Sequence, residues 1–120
     1  MIGRVDDYNR ALIDLEVRRA LGAKNVRVAA WIDTAFTGYL AFPSDLIQSL
    51  QLDSLAETDA TLANGTTVRL KSFICYLDWF GSVLAAQVVA NDGETPLLGT
   101  VLLDDQVLRI DYRNRILTIE

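Results

Sequence analysis

A chain of 120 residues amounts to one domain with room for a real core, and with 51% apolar and 22% charged residues it is globular rather than disordered. Its net charge of −5 disfavours nucleic acid or an anionic membrane surface as partner. The absence of histidine and the single cysteine, Cys75, exclude the usual Ser-His-Asp and Cys-His mechanisms, an internal disulfide and a structural zinc site, and no GxGxxG or Lys-containing glycine-rich loop is present to hold a dinucleotide or a nucleotide phosphate.

The first seven residues, MIGRVDD, are not followed by the apolar run of a signal peptide, and no stretch reaches membrane-spanning length. A lone cysteine suits a reducing compartment, so a cytoplasmic location is expected. Ala11 to Val17 (ALIDLEV) alternates as a strand, Leu21 to Asn25 supplies a turn, and Val26 to Ile32 is a second strand, which predicts a hairpin. Tyr39 to Phe42 reads as a short strand. Ser44 is the expected N-cap of a two-turn helix over Ser44 to Leu50, with Asp45 in its first turn and an end near Gln51.

Thr61 to Leu70 carries a hairpin signal at Asn64-Gly65, a pair that accepts positive φ. Phe73 to Phe80 and Val83 to Ala90 are strands joined at Gly81-Ser82, and Asn91 to Pro96 is a loop. Leu97-Leu98-Gly99 is followed by a short apolar segment, Thr100 to Leu103, then a turn at Asp104-Asp105. Val107 to Asp111 and Ile116 to Ile119 end the chain as two strands apolar enough to need covering, which places them at an expected subunit interface. No linker divides the sequence. The reading is a single all-β domain over residues 1–120, a small closed barrel or sandwich with one or two short helices. Cys75 is expected in the core, and Trp31 and Trp79 as core or interface apolar mass.

The stretch AAWIDTAFTGYL, residues 29–40, stands out, because an apolar strand runs straight into Asp33. A carboxylate at the end of a buried strand is costly to keep ionised. If this chain is an enzyme, its chemistry rests on carboxylates, hydroxyls, amines or backbone groups, and the carboxylates come first.

Asp33-Thr34-Ala35, with Trp31-Ile32 before it and Thr37-Gly38 after it, resembles the catalytic loop of retropepsin-like aspartic proteases (clan AA), and most of all that of the small prokaryotic single-domain type. The order of later features is similar as well: a flap hairpin at Asn64-Gly65, two strands, the Leu97-Leu98-Gly99 sequence and a short helix. The resemblance runs from about Ala11 to Leu108. It implies an aspartic endopeptidase acting on a peptide or unfolded protein, with Asp33 catalytic and with Thr34, Ala35 and Gly99 supporting its loop. It also implies a flap over the substrate formed by Ala63, Asn64, Gly65 and Thr66. No cofactor and no metal are implied. Such chemistry needs two carboxylates sharing one proton around a water. The sequence has one such loop, so a two-fold axis beside Asp33 would complete the pair in a homodimer. Most members of the family have glycine where this chain has Ala35, and alanine tolerates positive φ poorly. The alternative is a non-catalytic module of the same fold that dimerises or binds peptides.

Overall fold

The computed structural model describes residues 1–61 and 64–120, which form ten strands and two short helices. Strand β1 spans Ile2–Val5, β2 Ala11–Arg18, β3 Val26–Ile32 and β4 Leu40–Pro43. Helix α1 (Ser44–Leu50) is followed by β5 (Asp53–Thr61), β6 (Thr67–Trp79), β7 (Ser82–Asn91) and β8 (Leu97–Leu98). Helix α2 (Thr100–Leu103), β9 (Leu108–Asp111) and β10 (Ile116–Ile119) complete the chain. Among the described residues no helix is long and apolar enough to cross a membrane.

The alternation in β2 and β3 sets the barrel wall. Leu12 pairs with Trp31 and Val17 with Val26, so Ile13, Leu15 and Val17 point inward beside Val28, Ala30 and Ile32, all buried. The sheet then runs β3, β8, β4, β7, β6, and β6 returns to β2 through Val17–Leu77 and Arg18–Tyr76, which closes a six-strand barrel. Inside lie Leu40, Phe42, Cys75, Leu77, Val88 and Leu98, none with measurable exposure. Two of the pairings, β3 with β8 and β4 with β7, are parallel, and they bring the ends of β3 and β8 side by side. The expected all-β closed architecture is what the chain adopts.

Outside the barrel, β1, β10 and β9 extend the sheet from β2. The terminal strands are covered in part within the chain, since Leu117 and Ile119 are fully buried in its own core and the Met1 amino group donates to the Ile119 carbonyl at 2.7 Å. Val107 and Ile116 of the same segments stay exposed in the single chain.

Other expectations shift. Strand β5 (DSLAETDAT) was not legible, because its acidic and alanine-rich composition has little strand propensity. It is held by its register with β6, from Asp53–Ile74 to Thr61–Thr67, with an irregularity between Ser54 and Ala56. Strand β6 is one continuous element of 13 residues that serves both the hairpin and the barrel, where the sequence suggested two pieces. The β6–β7 turn is Phe80-Gly81, at φ of 50° and 79°, one residue earlier than Gly81-Ser82, as the Trp79–Ser82 pairing requires. Ser44 is not the N-cap of α1. Pro43 occupies that position, the helix has no side-chain cap, and Ser44 is already helical. Gln51 ends the helix in the left-handed region at φ 56°.

Candidate active site

Asp33 follows the last residue of β3, where the strand runs out of the barrel and the chain turns. Its carbonyl accepts the Phe36 N–H at 3.1 Å, which closes a β-turn, and the Ala35 N–H donates to its Oδ1 at 3.0 Å. The Asp33 N–H donates to the Leu98 carbonyl at 2.9 Å. The loop is tied further to the start of α2: Gly99 N–H to Tyr39 O at 2.8 Å, Thr100 N–H to Phe36 O at 2.9 Å and Val101 N–H to Gly38 O at 3.2 Å. Backbone bonds thus fix the position of the carboxylate, and the two segments the sequence placed 66 residues apart, Asp33 and Gly99, share one hydrogen-bonded unit.

Gly99 has to be glycine for reasons of space. Its backbone is extended, with φ −97°, but a Cβ there would collide with the Gly38 carbonyl oxygen and lie 2.7 Å from Phe36 Cδ2. Phe36 lies against Gly38 in the same way, 2.6 Å from where a Cβ would stand. The loop therefore folds around its own aromatic ring, with glycines on the surfaces the ring touches. Sequence reasoning missed this role of Phe36; an isolated aromatic among small residues, two before a glycine, was the available signal.

Ala35 is exposed, and it is not among the described non-glycine residues at positive φ. The alanine in place of glycine consequently brings no backbone strain. Thr34 and Thr37 are exposed too, and among the described residues the Thr34 hydroxyl makes no hydrogen bond within the chain. Asp33 is half-buried, so one chain alone does not provide the deep burial its place at a strand end suggested.

The carboxylate opens into a cavity of about 310 Å³ lined by Trp31, Ile32, Asp33, Thr34, Ala35 and Leu97. Trp31 and Leu97 are register partners across β3 and β8, and Trp31 shares Asp33's side of the strand because it lies two residues earlier. Trp31 is 39% exposed, so of its two expected places, core or interface, it does not take the core one within the single chain. Trp79 is partly buried against the core and meets Phe80 edge-on at 5.2 Å.

Of the expected flap residues, Ala63 lies outside the described residues. Thr66 N–H donates to Asn64 Oδ1 at 3.0 Å, and Gly65 sits at φ +83°. The last pairing before this connection is Thr61–Thr67. Asn64, Gly65 and Thr66 do not line the Asp33 cavity within the single chain.

No protein-family model matches the chain, and no curated protein matches it. Solved structures do. Over 99% of its length the chain is similar to a crystal structure of a retropepsin-like aspartic protease from Rickettsia conorii, with a TM-score of 0.70 and 21% identity over 88% of that chain. It is also similar to EIAV protease complexed with the inhibitor HBY-793, at a TM-score of 0.59 and 14% identity, covering 83% of this chain and 90% of that one. The fold of the chain is retropepsin-like.

Proposed function

We propose that the chain is an aspartic endopeptidase that works as a homodimer, each copy contributing one Asp33. The observation that carries this reading is the carboxylate itself. It is fixed by the Ala35 N–H and by a loop bonded to Leu98, and it opens onto a cavity large enough for a substrate side chain. The exposure of Thr34, Ala35 and Thr37 around a half-buried Asp33 supports a second copy meeting the first at this loop. In that assembly the two carboxylates share one proton, since like charges about 3 Å apart cannot both ionise. The ionised carboxylate takes a proton from the attacking water, and the protonated one donates to the scissile carbonyl oxygen. Thr34, with its hydroxyl free, hydrogen-bonds to the partner's loop and keeps the carboxylates level. The hairpin of β5 and β6 covers the bound peptide and excludes water.

The substrate is a peptide or unfolded protein, cut inside a reducing compartment. A non-catalytic peptide-binding module is the second reading. It is favoured by the free outer edge of β5, which ends the sheet and can accept an added strand whether or not Asp33 reacts.

Cleavage of unfolded casein across pH, with sedimentation in parallel, tests the first reading. The parent should cleave faster at acidic than at alkaline pH, because one proton must stay on the pair. Asp33→Asn should remain a dimer and lose essentially all activity. A variant that cleaves at the parental rate would remove Asp33 from the mechanism, and a strictly monomeric parent would remove the dyad.

A further inference from the structure

A cavity of about 820 Å³, separate from that of Asp33, lies where three fixed segments of backbone meet. The first is the outward side of β3, where Ala29 and Arg27 continue the row that holds Trp31 and Asp33. The second is the passage from β4 into α1, Pro43 to Leu46, and the third is the loop that ends at Pro96. Pro43 pairs with Asn91 across β4 and β7, and the Pro96 carbonyl accepts the Trp31 N–H at 2.8 Å, so backbone ties all three walls together. Pro96 lines this cavity and the next residue, Leu97, lines that of Asp33, which makes the two neighbours. Along β3, Ala29 and Asp33 are four residues apart, roughly 13 Å at ~3.3 Å per residue.

The lining is of two kinds. Ala29, Pro43, Leu46 and Pro96 give apolar walls, and Asp45, Asp92 and Glu94 give three carboxylates. Among the described residues none of these carboxylates forms an ion pair, whereas Arg27 is already paired with Glu16 at 3.1 Å. Asn91 adds an acceptor. Its Nδ2 donates to the Thr95 carbonyl at 3.5 Å, but its Oδ1 is buried and has no hydrogen-bond partner among the described residues. The position that a Cβ would take on Gly93 is open apart from that oxygen, 3.5 Å away. A buried acceptor without a donor is costly to keep, and a donor entering on the Gly93 side relieves it.

We infer that this cavity is an exosite for a basic segment of a polypeptide substrate, taking a lysine or arginine whose alkyl stem lies on the apolar walls and whose charged end meets Asp45, Asp92, Glu94 and Asn91. Both side chains are amphipathic in the way the lining is, and a cleft that carries one sign of charge concentrates the other. The inference rests on the peptidase reading for the fate of the bound segment, but docking does not require Asp33 to react. An extended peptide covers the distance between the cavities in about four residues, so the basic residue stands about that far from the bond that is cut. In the proposed dimer the two-fold axis gives one such cavity on each side of that bond.

The test uses dodecapeptides of Ala, Gln and Leu with acetylated and amidated ends, identical except for Lys, Gln or Glu near one end. Binding to full-length Asp33→Asn protein is read by calorimetry and by the amide NMR signals of residues 44–46 and 91–94, and cleavage is read in the parent. The Lys peptide should shift those signals and bind about tenfold tighter than the Gln peptide, with Glu weakest. Lys near either end should serve equally. In the parent it should lower KM and leave kcat nearly as it was, because it is held away from the reacting bond. Asp45→Asn with Glu94→Gln should erase the preference for Lys, and Gly93→Ala should weaken it by filling the space beside Asn91, with melting temperatures as the check on folding. Asp104→Asn with Asp105→Asn, which removes as much charge from the turn after α2, should leave it unchanged. Equal binding of the Lys and Gln peptides, or an equal loss in the protein altered at Asp104 and Asp105, overturns the inference and leaves the peptidase reading intact. Free spermidine binding as tightly as the Lys peptide overturns the polypeptide as occupant. A parent that cleaves none of the peptides, with the Asp33→Asn protein still ranking Lys above Gln, overturns the peptidase reading and supports the exosite. Failure to bind and to cleave any of them overturns both.

Discussion

At the scale of single residues, the Asp33 loop depends on what is missing from Gly99 as much as on what is present at Asp33. A methyl group at Gly99 would meet backbone, the Gly38 carbonyl, and backbone cannot rotate away. Gly99→Ala should therefore cost about 1–3 kcal/mol in denaturant unfolding, as overpacking of a tight site does, and displace the loop enough to remove activity. Asp6 makes a second prediction. Partial desolvation pulls its carboxyl upward, but the N–H groups of Arg10 and Tyr8 and the Arg10 side chain outweigh this and hold it below the usual 3.8. A lowered folded value contributes stability that is complete above 3.8 and disappears as pH falls through the lowered value. The melting temperatures of the parent and of Asp6→Asn should differ near neutral pH and converge below 3.8. Convergence on the alkaline side instead would contradict this assignment. Because the proposed chemistry favours acid, a loop anchored by a carboxyl that resists protonation suits it. The buried Cys75 thiol moves the other way, pushed up by burial to about 12, and is inert in the folded chain.

At the scale of elements, the hairpin of β5 and β6 leaves the barrel at Ser72. Residues 67–71 of β6 pair with β5 alone, whereas Ser72 also begins the pairing with β7. Ser72 is the buried polar residue at this departure, and its Oγ donates to the Ala56 carbonyl at 3.2 Å, next to the irregularity in β5. Ser72→Ala should cost about 0.5–1.5 kcal/mol, the net worth of one hydrogen bond, and should speed hydrogen exchange and proteolytic nicking within residues 53–61 more than in the barrel strands. A uniform rise across the molecule would mean that Ser72 acts on global stability instead. Cross-strand ion pairs of Arg69 with Glu57 and Asp59, at 3.2 and 3.7 Å, are exposed and add little.

The same elements show what could be read from sequence. Strand β2 was legible because inward apolar residues alternate with outward Asp14 and Glu16, and β3 and β10 because they are short apolar runs rich in β-branched residues. The hairpin tip was legible at Asn64-Gly65 and its outer strand was not, since β5 is stabilised by backbone pairing that leaves no mark on side-chain composition. In the site, Asp33 and Gly99 could be picked out through a resemblance that spans both. For Trp31 core and interface both stayed open, because hydrophobicity alone does not say which side of a strand leaves the barrel, although its two-residue offset from Asp33 contained that information. Arg10, 5.9 Å from the Trp31 ring centroid, was invisible, as it meets that ring through tertiary contact only.

At the scale of the whole molecule, one carboxylate loop per chain would, on the proposed reading, make activity a property of the assembly. If the proposed dimer forms, its melting temperature should rise with protein concentration, and activity should fall faster than linearly on dilution through the dissociation range. On the proposed reading metal chelators should leave activity unchanged, because the paired carboxylates act on water directly and the chain, with no histidine and one buried cysteine, lacks the usual zinc ligands. Activity lost in chelator and restored by zinc would refute the mechanism. The continuity of β6 has a mechanical meaning for such an assembly. The hairpin projects roughly 17 Å beyond Ser72 at ~3.3 Å per residue, and it is the same strand that closes the barrel against β2 through Leu77. It is a beam built into a wall. On the proposed reading, a peptide that lifts the hairpin bends this beam, and the load is carried into the barrel seam at Val17 and Leu77.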